Sequence, residues 1–167
     1  GLGSLKTVDK NVTIQSNGAL SNVTALGQLK TIGGYLYLYN NGALTSVSGL
    51  ANLTSIGDYL NVYGNNLLTS IGLTSLASVG TYVSIYGNSA LQTLTGLNAL
   101  TTIGTYLSVG SNGALVELNG FAALQSVGGY IAIESNSTLA SANGFAVLAN
   151  VAGEIRIDNN AALTVIN

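Results

Sequence analysis

Charge is nearly missing from this chain: four Lys and Arg and six Asp and Glu among 167 residues give a net charge of −2. So sparse a positive potential excludes the phosphate-tracking surface of a nucleic-acid binder. Histidine is absent, which removes the commonest general base and metal ligand. Cysteine is absent as well, so neither a disulfide framework nor thiolate chemistry is available. The lack of cysteine does not fix the compartment, because an oxidising environment permits disulfides without requiring them. No uninterrupted apolar run approaches the ~20 residues of a membrane-spanning helix. The chain opens at Gly1 without a signal-like segment, as expected of a processed or excerpted piece.

What is present is a repeat. A leucine or phenylalanine returns at Leu2, Leu26, Leu50, Leu73, Leu97, Phe121 and Phe145, every 24 residues with one interval of 23. In the third turn the apolar positions are Leu50, Leu53, Ile56, Leu60, Val62, Leu68 and Ile71, and each has an apolar counterpart in all other turns. Leu60 and Val62 alternate with Tyr59, Asn61 and Tyr63, the period-two pattern of a strand with one buried face. The remaining apolar positions are spaced by three among Thr, Ser, Asn and Gly, which suits short bends and leaves no helix-length segment. The pattern predicts an all-β parallel β-solenoid, a leucine-rich-repeat-like β-helix, with one short strand per turn and little or no helix. It forms a single domain, 1–167, of seven turns: 1–24, 25–48, 49–71, 72–95, 96–119, 120–143 and 144–167. At a strand spacing of ~4.8 Å the rod is roughly 30 Å long. A lone turn cannot cover its own apolar face, so neighbours must complete it.

Other columns cross the turns. Asn17, Asn41, Asn65, Asn88, Asn112, Asn136 and Asn160 each precede a core leucine by three residues. Stacked amides at one rung spacing can bond one another and the backbone at a bend, and this ladder is read as structural. Gly33, Gly57, Gly80, Gly104 and Gly128 precede the strand, where a positive φ is expected, with Asp9 and Ala152 replacing glycine in the end turns. Tyr35, Tyr59, Tyr82, Tyr106 and Tyr130 form one aromatic column and Tyr39, Tyr63 and Tyr86 another, with Tyr37 between them, all on the outward side of the strands. Two readings stand side by side: the rings shield the sheet by stacking on each other, or they form a recognition surface, densest in turns two to four, for a protein or carbohydrate ligand. Thr7, Thr31, Ser55, Ser78, Thr102 and Ser126 make a hydroxyl column that could organise surface water, as in an ice-binding protein.

Catalytic chemistry finds little support. Glu134 and Asp158 share a column on adjacent rungs, but Arg156 beside them offers a plainer role than a glycosidase pair. No calcium-loop pattern occurs, and no metal or other cofactor is expected. The sequons at Asn11, Asn22, Asn52 and Asn136 are of the kind that an Asn-, Ser- and Thr-rich chain generates by chance.

The turn GLANLTSIGDYLNVYGNNLLTSI, residues 49–71, follows the pattern gLxxLxxIgxxLxIxxNxxLxxI and resembles the receptor L-domain type of leucine-rich repeat. The resemblance covers the whole chain. It implies an extracellular or cell-surface β-helix of the sort found in fungal wall proteins, bacterial surface proteins and receptor ectodomains, used for binding, adhesion or wall architecture, and it carries over no catalytic residues. The chain departs from receptor members in lacking a cysteine-rich module, and from many surface members in its tyrosine content.

The core columns stay apolar in the first and last turns, so both ends read as open. Lys6, Lys10 and Lys30 against Asp9 make the first two turns positive. Glu117, Glu134, Glu154 and Asp158 against Arg156 make the last three negative. Lys6, Asp9, Lys10, Glu154, Arg156 and Asp158 are therefore candidates for an end-to-end contact between copies, the alternative being that capping turns of a longer protein cover these ends. The functional expectation is a non-catalytic surface solenoid in adhesion or architecture, with self-assembly, tyrosine-face ligand binding and ice binding as the readings to separate.

Overall fold

The computed structural model describes all of residues 1–167. The chain winds as a parallel β-solenoid in which every turn stacks in register on the last. Strands Val12–Gln15, Leu36–Tyr39, Leu60–Tyr63, Val83–Tyr86, Leu107–Gly110, Ile131–Glu134 and Ile155–Asp158 form one seven-stranded parallel sheet. Leu60 pairs with Leu36 on one side and Val83 on the other, so the 23-residue turn preserves the column alignment.

One strand per turn proves too few. Two-residue strands from Thr7–Val8 to Asn150–Val151 build a second seven-stranded parallel sheet. A third wall begins where Ser46 bridges Ser70, Ser70 bridges Thr93, Glu117 bridges Ser141, and Ser141–Ala142 pairs with Val165–Ile166. Two residues are too few to show a period of two, which is why the second sheet escapes a pattern search. The only helical pieces are single 3-10 turns at Thr24–Leu26, Ser48–Leu50 and Thr95–Leu97.

The core is one continuous cluster of 36 buried residues along the rod axis. It comprises the apolar columns of turns two to six together with Val23. The end turns have a neighbour on one side only, and their column members Leu2, Ile155 and Ile166 are 57%, 58% and 63% exposed.

The glycine column before the long strands has a different cause from the one the sequence suggests. None of Gly33, Gly57, Gly80, Gly104 and Gly128 has a positive φ; a Cβ at Gly57 would instead run into the carbonyl oxygen of Gly33, and one at Gly80 into that of Gly57. The close approach of successive turns, not backbone handedness, requires glycine there. The left-handed residue lies at the other end of the strand: Ser16, Asn40, Gly64, Gly87, Ser111, Ser135 and Asn159 all have φ between 51° and 67°. Asparagine and glycine tolerate this region best, and the column contains only Gly, Asn and Ser.

Candidate binding face

The asparagine ladder sits at the bend that follows the left-handed residue. From Asn41 onward each side-chain oxygen takes two hydrogen bonds from the asparagine one turn earlier: Asn88 Oδ1 accepts from the Asn65 backbone N–H at 3.0 Å and from Asn65 Nδ2 at 3.3 Å. Asn65 Nδ2 also donates to the carbonyl of Leu38 at 3.0 Å. Asn41, Asn65, Asn88, Asn112 and Asn136 are wholly buried. Every amide in the interior is thus consumed by the scaffold, Asn136 of the fourth sequon included. The ladder from Asn17 to Asn160 fixes the bend from which the strand's outer face is hung.

That outer face carries the tyrosines. Because the sheet is parallel and in register, identical residues recur at the strand spacing of ~4.8 Å, close to the stacking distance of aromatic rings. Tyr35, Tyr59, Tyr82, Tyr106 and Tyr130 accordingly form an unbroken stack, with ring centroids 4.5–4.8 Å apart and planes within 9°. Their faces are spent on one another, and what they offer outward is a row of ring edges and phenolic hydroxyls. The second column is looser: Tyr39 and Tyr63 are 5.2 Å apart, Tyr63 and Tyr86 5.9 Å, and the planes open to 17° and 22°. Tyr37 fills the space between the columns in the second turn and stacks on Tyr39 at 5.5 Å. Tyr63 and Tyr130 are the most exposed of the nine, at 39% and 37%.

The second column stops at Gly110 for a steric reason. The Tyr86 ring lies over that glycine, and a Cβ there would come within 2.7 Å of the ring, so Gly110 is buried beneath an aromatic side chain. In the middle column, Asn61 holds its Oδ1 buried with no partner, while Ser84 and Ser108 follow it on the next two rungs.

Burial among the rings pushes the phenol of Tyr106 up to about 12, and the neighbouring charges that Tyr82 and Tyr130 would carry on ionising push in the same direction. Desolvation also raises Tyr37, Tyr59 and Tyr82. These phenols are therefore neutral hydrogen-bonding groups at any physiological pH.

Of the remaining candidates, Glu134, Glu154, Arg156 and Asp158 lie on the last two rungs of this same sheet face, beyond Gly110 where the second tyrosine column ends. Glu134 and Asp158 do face each other on adjacent strands. Arg156 bridges them, with Nη2 3.2 Å from Glu134 and Nε 3.2 Å from Asp158, and Glu154 is 3.9 Å away. A guanidinium already holding both carboxylates leaves no free acid–base pair. No group of three or more His, Cys, Asp or Glu side chains converges on a point. Lys6, Asp9 and Lys10 lie exposed on the first turn, at the opposite end from Glu154, Arg156 and Asp158. The Thr and Ser hydroxyl column, with the glycine column, lines a groove of about 740 Å³ along the second sheet. No helix is long and apolar enough to cross a membrane.

Sequence reasoning located the tyrosine columns but not the self-occupied ring faces, the Tyr86 lid over Gly110 or the orphaned Asn61 oxygen. Only the run Tyr39, Tyr63, Tyr86, Gly110 carried a signal for the lid. Comparison with known proteins returns no match among curated proteins and none among solved structures. A family model, Receptor L domain, matches residues 6–96, more than half of the chain. The repeat that this match spans continues without a break through the remaining turns, and the chain belongs to the receptor L domain family.

Proposed function

We propose that this chain is a non-catalytic, extracellular solenoid that binds a protein partner on its tyrosine-bearing sheet face, in an adhesion or surface-architecture role. The observation that carries the reading is the nearly uncharged aromatic surface over turns two to four, held rigid by the stacked rings and the asparagine ladder. The receptor L domain family is one of non-enzymatic, typically extracellular ligand-binding domains, which agrees with such a use. Tyrosine supplies large contact area at little entropic cost, and rings already ordered by stacking lose still less on binding. Because the rings of the long column cover one another, sugar rings would find few open faces there. Edges and neutral phenols suit a protein surface bearing hydrogen-bond acceptors.

The test is site-specific photo-crosslinking from Tyr63 on the candidate face and from Thr69 on the third wall, with a surface-protein fraction as bait. Capture at Tyr63 alone, lost in a Tyr39→Ser, Tyr63→Ser, Tyr86→Ser variant that keeps its fold, supports the reading. Equal capture at both positions, or none, counts against it. Binding to a glycan array that the triple variant abolishes would reassign the face to carbohydrate.

A further inference from the structure

The tyrosine face is uneven along the rod. All nine tyrosines of the chain lie on it, and so does the whole net charge. Glu134, Glu154 and Asp158 against Arg156 leave −2 on the sixth and seventh rungs of this face, while Lys6, Lys10 and Lys30 cancel Asp9, Asp58 and Glu117 elsewhere. Between those two rungs an aromatic column runs into carboxylates.

The stack of five rings has two ends, and they differ. Tyr59, Tyr82 and Tyr106 have a ring against both faces, whereas Tyr35 and Tyr130 have one against a single face. In the column position beyond Tyr35 stands Asn11, a neutral amide whose Oδ1 already accepts from the Tyr35 N–H at 3.2 Å. Beyond Tyr130 stands Glu154. The Ile131 N–H donates to the Glu154 carbonyl at 2.9 Å and Ile131 pairs with Ile155, so Glu154 is one rung, ~4.8 Å along the axis, from the side of Tyr130 that carries no ring. Tyr130 is 37% exposed.

Glu154 is also the acid least engaged by the chain itself. Arg156 places Nη2 on Glu134 and Nε on Asp158, both at 3.2 Å, and approaches Glu154 only to 3.9 Å, leaving the Glu154 side chain 68% exposed. The three lysines lie in the first two turns, so no other cation of the chain reaches this place. A ring face beside a carboxylate suits a guanidinium, which stacks on the ring through its flat side while its N–H groups donate in plane to the acid. A metal ion is a poorer match, because no three ligating side chains converge here.

We propose that Tyr130 and Glu154 form an arginine-binding site, in which a guanidinium of the partner lies between the Tyr130 ring and the Glu154 carboxylate. The site rests on the reading of the tyrosine face as a protein-binding surface and adds the chemistry of the partner, a segment that is basic where it meets the sixth and seventh rungs. It also gives the partner a fixed direction along the rod, because the opposite end of the stack offers no charge.

Titration of tetra-arginine peptide into the isotope-labelled 1–167 chain at low salt, followed by NMR, tests this. The expected result is saturable shifts at Tyr130–Glu134 and Glu154–Asp158 and none at Lys6–Lys10, with tetra-lysine weaker and tetra-glutamate silent. Glu154→Gln raises the Kd about two- to fivefold, and Tyr130→Leu does the same. Tyr130→Phe keeps the ring, Glu117→Gln removes an acid from the third wall, and both leave the Kd unchanged. Circular dichroism checks that each variant is folded. Absence of binding overturns the proposal, as does a Kd that Tyr130→Leu does not move, since attraction to diffuse negative charge needs no ring. Photo-crosslinking from Tyr63 separates the site from the reading beneath it. Capture undiminished by Glu154→Gln overturns the arginine site and leaves the tyrosine face standing, whereas no capture at Tyr63 alongside peptide shifts at Tyr130 ends the face reading and keeps the arginine site.

Discussion

The side-chain oxygen of Asn65 accepts two hydrogen bonds from a single residue, Asn41: one from the backbone N–H at 3.0 Å and one from Nδ2 at 3.2 Å. Removing that oxygen strands a buried backbone donor inside the rod. Asn65→Ala should destabilise the fold by about 2–4 kcal/mol, since each orphaned buried group costs roughly 1–3 kcal/mol. Urea unfolding checks this. A loss below ~1 kcal/mol would mean that water or a backbone shift takes over the ladder's role.

The glycine column gives a matched pair of substitutions. Gly80→Ala drives a methyl group into the Gly57 carbonyl, which is backbone and cannot swing away. Gly113→Ala meets nothing within 4 Å and needs no unusual φ. The first should cost about 2–3 kcal/mol as an overpacking defect, and the second should stay within about 0.5 kcal/mol. Comparable melting temperatures for the two would refute the close-approach explanation.

The reasons the fold was legible differ from column to column. Leu60 and Val62 announce a strand because burial on one side of a four-residue segment leaves a period of two. Ser55–Ile56 pairs just as regularly but leaves no period at all. The asparagine ladder was visible because every rung needs the same two-sided hydrogen-bonding group. Glycine recurs for two distinct reasons, positive φ at Gly64 and close approach at Gly57, and sequence alone attached the first reason to the second column. For the tyrosines, the repeat gave their positions. Whether the rings point their faces outward or at one another depends on the 4.5 Å stacking geometry, which is a property of the packed rod.

Stacked phenols make the protein sensitive to alkali. The Tyr106 phenol, raised to about 12 by burial first and by Tyr82 and Tyr130 second, binds its proton more tightly folded than unfolded, where tyrosine titrates near ~10. Between those two values the native state carries more protons than the unfolded one, so stability falls as pH rises. The contribution is whole below ~pH 10 and lost progressively as the pH climbs toward about 12. Tyr37, Tyr59 and Tyr82 shift in the same direction and steepen the loss. Melting temperatures measured from pH 9 upward should drop for the natural chain and drop less for Tyr106→Phe. Identical slopes would show that the phenol does not titrate from within the stack.

Asn61 offers a substitution expected to help. Its Oδ1 is buried on the outer side of the sheet without a donor, whereas the two rungs that follow carry Ser84 and Ser108 in the same column. An unsatisfied buried acceptor costs roughly 1–3 kcal/mol relative to water, while a serine hydroxyl can rotate to bond whatever group is nearest. Against this stands the packing that the longer amide supplies beside the Tyr59 and Tyr63 columns. The two effects oppose each other, and the two rungs that follow show that this column accommodates serine. Asn61→Ser is therefore expected to leave stability unchanged or raise it by up to about 1 kcal/mol, read as an upward shift of the urea midpoint at constant slope. A clear loss of stability would assign Asn61 a partner on the tyrosine face, either a water or the hydroxyl of a neighbouring ring, and would make it the residue through which the two aromatic columns are tied together.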